Sequence, residues 1–238
     1  MNKSDSSAAA AANGSRGRGA SERGGESSRE RFLDAADQLF IREGYDRCTI
    51  RAISAAAGTS LAVLSRHWDN KQQLFEEVFK RHFDPIHSAQ NARFDALEAK
   101  GEPALRAILE AFFSPALAGN IGPLEQRTSH LVYCRALMDP SPEARAIARP
   151  LVRATRSRLI RLLRTALPHL DETRFFLAMS TVLGAYIYPQ VNGPRLAEIM
   201  DVEFGKIDWA SAALIIPHFL EAGLRADSAT RTPLERQM

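Results

Sequence analysis

Between Gly58 and Phe75 the chain reads GTSLAVLSRHWDNKQQLF, with Ser60 two residues after a glycine and His67 seven residues further on. A serine and a histidine are the parts of an activated nucleophile, and a serine-hydrolase elbow requires G-x-S-x-G on a strand-to-helix turn. Here Ala62 stands at the second glycine and the segment lies between two expected helices, so Ser60 is read as a helix cap and no enzyme is expected. The histidines at 67, 82, 87, 130, 169 and 218 show no H-E-x-x-H spacing, and there is no C-x-x-C or glycine-rich phosphate loop. Neither a metal nor a cofactor is therefore expected. Cys48 and Cys134 make no disulfide framework; Cys134 is expected as a buried structural thiol, with a redox switch as the alternative.

Helices must position these residues. Phe32, Ala35, Ala36, Leu39 and Phe40 recur at three and four, predicting a helix over 28–43 that Gly44 stops in the left-handed region. Thr49 is an N-cap for a helix over 50–57, with Cys48 and Ile53 placed as a hydrophobic staple, and Gly58 ends it. Ser60 caps a helix over 61–67, and Asn70 with Gln73 starts a long one at Lys71. Further apolar periodic segments run over 71–99 with a kink at Pro85, 103–118, 124–138, 142–167, 171–188 and 207–225. The fold class is all-α, with roughly nine helices and no internal repeat.

Two short helices joined only by Gly58, Thr59 and Ser60 must cross steeply, as in a helix-turn-helix. In that geometry the second helix projects into a DNA major groove while the first braces it across the backbone. Thr49 and Lys71 stand at helix N-termini, where free N–H groups attract phosphate, and Arg51 and His67 add further phosphate-holding groups. Trp68 is expected in the core at the junction of the third and fourth helices.

Glu30 to Phe79 carries A-x-x-L-F-x-x-x-G-Y, then T-I-R-x-I-x-x-A-A-G, then L-x-x-H-W-x-N-K-x-x-L-F in one register. This stretch resembles the DNA-binding domain of TetR-family transcriptional repressors. The resemblance implies a homodimer on the half-sites of a palindromic operator in double-stranded DNA, repressing transcription until a small apolar or amphipathic effector binds the C-terminal domain. It assigns Thr49, Arg51, His67 and Lys71 to phosphates and Thr59, Leu61, Ala62, Ser65 and Arg66 to bases. Leu61 and Ala62 offer only apolar contacts, so hydrogen-bonded readout rests on Thr59, Ser65 and above all Arg66. The chain departs from the family at Ser65, where tyrosine is frequent, and at Asp69. An activator and a redox-responsive regulator are the alternatives.

The chain has 238 residues, 45% apolar, with a net charge of only +3, so a polyanionic partner must be argued locally. No apolar run approaches the ~20 residues that cross a bilayer and no secretory signal is read, making the cytoplasm the expected compartment with no membrane partner. Residues 1–27, rich in Ala, Gly, Ser and Arg, are expected as a disordered arm. The DNA-binding domain then spans 28–75, the ligand-binding and dimerisation domain 76–226, and a flexible tail 227–238. Phe112, Phe113, His130, Tyr133, Arg135, Phe176, Met179 and Ser180 are candidates for the effector pocket. Ala178, Gly184, Ala185, Ala212, Ala213 and Ile216 are candidates for a four-helix dimer interface. Arg145, Arg149, Arg153 and Arg156 form a row beside the apolar stripe of the 142–167 helix and are expected on a solvated face. The stretch 140–179 also resembles a branch of the family that senses fatty acids or acyl-thioesters.

Overall fold

The computed structural model describes residues 15–118 and 128–226, with side chains from Ser28 onward. All nine α-helices among them follow the order α1 Ser15–Glu43, α2 Ile50–Ala56, α3 Leu61–Leu64, α4 Lys71–Glu98, α5 Leu105–Ala118, α6 Thr128–Met138, α7 Pro142–Ala166, α8 Glu172–Ile199 and α9 Trp209–Ala226. A 3-10 turn, Phe204–Lys206, precedes α9. The chain divides into two compact units, residues 1–75 and 76–238.

In the first unit, α1 packs against both α2 and α3. Phe32, Leu33, Ala36, Leu39 and Phe40 supply its buried face, and Ala35 is half-buried. Trp68 meets Phe32 edge to face at 6.0 Å, and Phe75 meets Phe40 at 5.4 Å and Tyr45 at 4.9 Å. Gly44 and Gly58 have φ of 76° and 63°, left-handed values that glycine adopts without a Cβ penalty, so each helix ends where the sequence places its glycine. Cys48 and Ile53 are fully buried on either side of the Thr49 cap.

In the second unit, α5 packs on α9 and α7, and α6 on α8 and α7. Arg158 on α7 bridges Asp95 at 2.6 Å and also Glu98 of α4, while Arg161 reaches Glu98 at 2.7 Å.

Several boundaries differ from the sequence reading. Residues 15–27, expected within a disordered arm, form the first turns of α1. Once a packed segment nucleates a helix, each added residue brings one hydrogen bond, and Ala, Arg and Glu are good helix formers. Residues 1–14, 119–127 and the expected tail 227–238 lie outside the described residues. The strict α-helix of α3 ends at Leu64 rather than 67, because the chain tightens into i→i+3 bonds from Arg66 N to Val63 O and from His67 N to Leu64 O. α4 continues through Pro85, and α8 runs through Pro189 and Pro194 to Ile199 instead of stopping at 188. An interior proline removes one backbone bond, and a helix with buried residues on both sides of it can continue. Pro217 is buried within α9, and nothing in the structure explains its presence there.

Candidate nucleic-acid interface

The N-terminal turns of α2, α3 and α4 are each built by a side-chain cap. Thr49 Oγ1 accepts from Ala52 N at 3.2 Å, and Ser60 Oγ accepts from Val63 N at 3.4 Å. Both oxygens are used as acceptors, which leaves each hydroxyl hydrogen available for a phosphate oxygen. At α4, Gln73 N donates to Asn70 Oδ1 at 2.9 Å, and Asp69 N donates to Gln73 Oε1 at 2.9 Å. Gln73 Nε2 in turn donates to Asp69 Oδ2 at 3.2 Å. Asp69 is thus a reciprocal member of the cap that opens α4.

Among the four expected phosphate holders, Thr49 and Arg51 are exposed, and Arg51 has no partner among the described residues. His67 is half-buried: its Nε2 stands 3.1 Å from Ser28 Oγ, and its ring meets Phe32 at 6.2 Å. Only Nδ1 remains for a phosphate. Lys71 Nζ donates to the Tyr45 carbonyl and lies 3.9 Å from the centre of the Tyr45 ring. A cation at a helix N-terminus opposes the helix dipole, and the carbonyl and ring compensate for that here.

The five expected base-facing residues separate more sharply. Leu61 is 42% exposed and Ala62 is exposed, which places an apolar surface at the start of α3. Ser65 Oγ donates back to the Leu61 carbonyl at 3.0 Å, so its hydrogen is occupied within the helix. Thr59 Oγ1 is buried without a partner, contrary to its expected place at a base edge. The extended approach to the Ser60 cap turns this side chain inward, and a pattern of residue types does not register that rotation. Arg66 is exposed with no partner among the described residues, and it remains the one expected hydrogen-bonding reader with its donors open. Sequence reasoning missed Ser28, which is 5% exposed, and Arg29, whose guanidinium lies 5.7 Å from the Trp68 ring centre. Their partners are about forty residues away along the chain, and no local spacing signals them.

In the second unit, Phe112, Phe113, Tyr133 and Tyr186 form one closed aromatic cluster with centroid separations of 5.3–6.2 Å. His130 and Met179 are also buried, and Arg135 is half-buried. Phe176 is 69% exposed and Ser180 is exposed, so the structure turns both away from this cluster. α8 carries apolar residues on more than one side, and periodicity does not say which side faces inward. The same ambiguity shifts the expected interface: Ala178 is buried, while Ala185, Ala212, Ala213 and Ile216 are half-buried and only Gly184 is exposed. The exposed stripe consists instead of Phe176, Leu177 and Tyr188 on α8 with Leu214, Ile215 and Phe219 on α9. A groove of about 310 Å³ between these helices includes Arg174, Leu177, Thr181 and Phe219. Cys48 and Cys134 are buried and free, and burial pushes their thiols up to about 11 and about 12, which keeps both protonated at neutral pH. Among the described residues no helix is long and apolar enough to cross a membrane.

A tight helix-turn-helix with open cationic and apolar side chains on its second helix, followed by a separate helical unit, defines the class of DNA-binding transcription regulators. The profile of bacterial regulatory proteins of the tetR family matches residues 32–78, and that of the tetracyclin repressor-like C-terminal domain matches residues 110–223. The chain belongs to the TetR family of transcriptional regulators.

It is 33% identical over 85 residues to the HTH-type transcriptional activator FasR of Mycolicibacterium smegmatis, covering 36% of this chain and 38% of FasR. It is 34% identical over 58 residues to the DNA-binding transcriptional repressor TetR of Mycobacteroides abscessus, covering 24% of this chain and 30% of that protein. Both matches therefore span well under half of the relatives. The fold is similar to that of the fatty acid degradation regulator FadR of Bacillus halodurans, with a TM-score of 0.57 and 16% identity over 82% of this chain and 98% of that one.

Proposed function

We propose that this regulator is a cytoplasmic repressor that binds a palindromic operator as a homodimer and is released by a small amphipathic effector held in its second unit. It carries out no catalysis in this reading. The observation that carries it is the pairing of an exposed Leu61 on α3 and an open Arg66 just after it with an exposed apolar stripe on α8 and α9. Phe176 and Phe219 are each 69% exposed, and Leu177 and Leu214 are 57% and 58% exposed. Large apolar side chains grouped in this way mark an association surface. Two antiparallel helices related by a two-fold axis would cover it in a self-complementary contact. A two-fold dimer presents two recognition helices, which calls for two half-sites.

Release is proposed to run through α4, which starts at the Lys71 cap and continues to Glu98 in the second unit. An effector that changes the tilt of α4 would change the separation of the recognition helices. Carrying occupancy from 1:99 to 99:1 requires about 5.5 kcal/mol of preference for the released form. The printed role of FadR, regulation of fatty acid degradation, supports a fatty acid or an acyl-thioester as the effector. FasR is named an activator, and activation is the second reading, because the same DNA contacts serve either output.

Selection of genomic fragments by the purified full-length protein tests the proposal. Enrichment of a palindrome, with higher reporter expression on deletion of the regulator, is the expected result. Lower expression on deletion would establish activation, and the absence of any enriched sequence would overturn the operator reading.

A further inference from the structure

Four of the five helices α4–α8 contribute polar side chains to the aromatic interior of the second unit. His87 Nε2 on α4 lies 3.0 Å from the Tyr133 hydroxyl on α6. Arg156 on α7 stands close enough for its positive charge to act on both groups.

The hydrogen bonding of Arg156 is incomplete. One of its terminal nitrogens, Nη2, is shut off from solvent without a partner, and Arg156 forms no ion pair among the described residues. Its charge bears on His87, Tyr133, Cys134 and Tyr186, and the one acid bearing on any of these is Asp84, an exposed residue acting on His87. Further buried atoms without a hydrogen-bond partner include both ring nitrogens of His130, which is 2% exposed, Oε1 of Gln90, which is fully buried, and the hydroxyl of Tyr186 within the aromatic cluster. Arg156 is half-buried, so it is this one shielded nitrogen that is left costly, and an anion whose oxygen reaches it satisfies it. The neighbouring arginines of the row, Arg145, Arg149 and Arg153, are exposed as the sequence suggests, and Arg156 is the exception.

We propose that Arg156 anchors the carboxylate of an apolar organic acid whose body packs against Phe112, Phe113 and Tyr186. This rests on the reading of the second unit as an effector domain and narrows the effector to a free acid. An acyl-thioester has no carboxylate at that position and would leave the guanidinium unsatisfied. A planar, bidentate donor such as arginine suits a carboxylate better than lysine does.

Calorimetric titration of the full-length protein with dodecanoate and dodecan-1-ol, and with 1-naphthylacetate and 2-(1-naphthyl)ethanol, tests the assignment and separates alkyl from aryl acids. In the unsubstituted protein at least one acid is expected to bind about tenfold more tightly than its alcohol. Arg156→Gln should abolish that preference while leaving alcohol binding in place, Arg156→Lys should restore part of it, and Arg149→Gln should change nothing. Thermal melting and DNA binding of each variant check that it is folded. Retention of the preference in Arg156→Gln, equal binding of acid and alcohol in the unsubstituted protein, or no binding of any probe would overturn the proposal. Fragment selection reads DNA recognition independently, so loss of the acid preference with intact operator binding refutes the anchor alone.

Discussion

Ser28 Oγ stands 3.1 Å from Nε2 of His67, joining the middle of α1 to the end of the recognition turn across 39 residues of chain. The contact uses the ring nitrogen nearer the core, so His67 acts as a brace for the α3–α4 junction as well as a candidate phosphate ligand. Ser28→Ala removes the bond and leaves one side of the ring unsatisfied. A loss of about 0.5–1.5 kcal/mol in stability is expected. DNA affinity should fall to a similar extent on every sequence, because the brace positions α3 without touching a base. Urea unfolding and titration of an operator with scrambled controls check both parts; unaltered stability would mean that the contact is idle.

Arg66 and Arg51 are both exposed and open among the described residues, yet they stand on different helices of the motif. Arg51 lies in the first turn of α2 and Arg66 follows α3; in a helix-turn-helix the first helix crosses the backbone and the second enters the groove, and the proposed docking gives these two residues those places. Arg66→Ala should cost about 1–3 kcal/mol at one base position and relax its identity, while Arg51→Ala should weaken all sequences alike and lower the salt slope by about one for each phosphate left unneutralised. Binding to a panel of operator variants at several salt concentrations distinguishes them. Uniform weakening by Arg66→Ala would reduce it to a phosphate ligand.

The order of the elements in the first unit was legible because each helix carries its own punctuation: Gly44, Thr49, Gly58, Ser60 and the Asn70–Gln73 pair all do locally what their types suggest. What local pattern could not supply was rotation about a helix axis. Thr59 turns inward, Ser65 bonds to its own helix, and Lys71 gives one of its donors to the Tyr45 carbonyl, so packing rather than residue type decides how far each of these three candidate DNA ligands is open. In α8 the same limitation reversed Phe176 and Ser180, since a helix apolar on two faces gives no sequence cue to which face is inside. Arg156 shows it from the polar side: four arginines at regular spacing look alike in sequence, and only packing half-buries one of them.

The exposed stripe predicts how association should fail. Phe219→Glu and Leu214→Glu place charges in the proposed two-fold contact, where they would be buried against their own copies. Sedimentation should show the dimer replaced by a folded monomer, because both side chains are already exposed in the single chain and their removal opens no cavity. Operator affinity should collapse towards the non-specific level, since one recognition helix reads only one half-site. A variant that sediments as the unsubstituted protein does would place the interface elsewhere.

The interior of the second unit predicts a specific acid sensitivity. Burial lowers His87 and His130 to about 4, with the positive charge of Arg156 adding to the effect on His87 and that of His82 on His130. In the unfolded chain both titrate near 6.5. Between these values the unfolded state binds more protons than the folded one, so stability rises with pH and is lost as pH falls from about 6.5 towards 4. Two such groups give a limiting slope of about 2.7 kcal/mol per pH unit. His130→Leu should roughly halve that slope, measured by urea unfolding between pH 4.5 and 7. It should also raise stability at pH 7, because both ring nitrogens of His130 are buried without partners and an apolar side chain of similar size removes that cost. An unchanged slope in His130→Leu would show that the histidine is protonated or solvated in the folded protein, and a drop in neutral-pH stability would show that its nitrogens are satisfied.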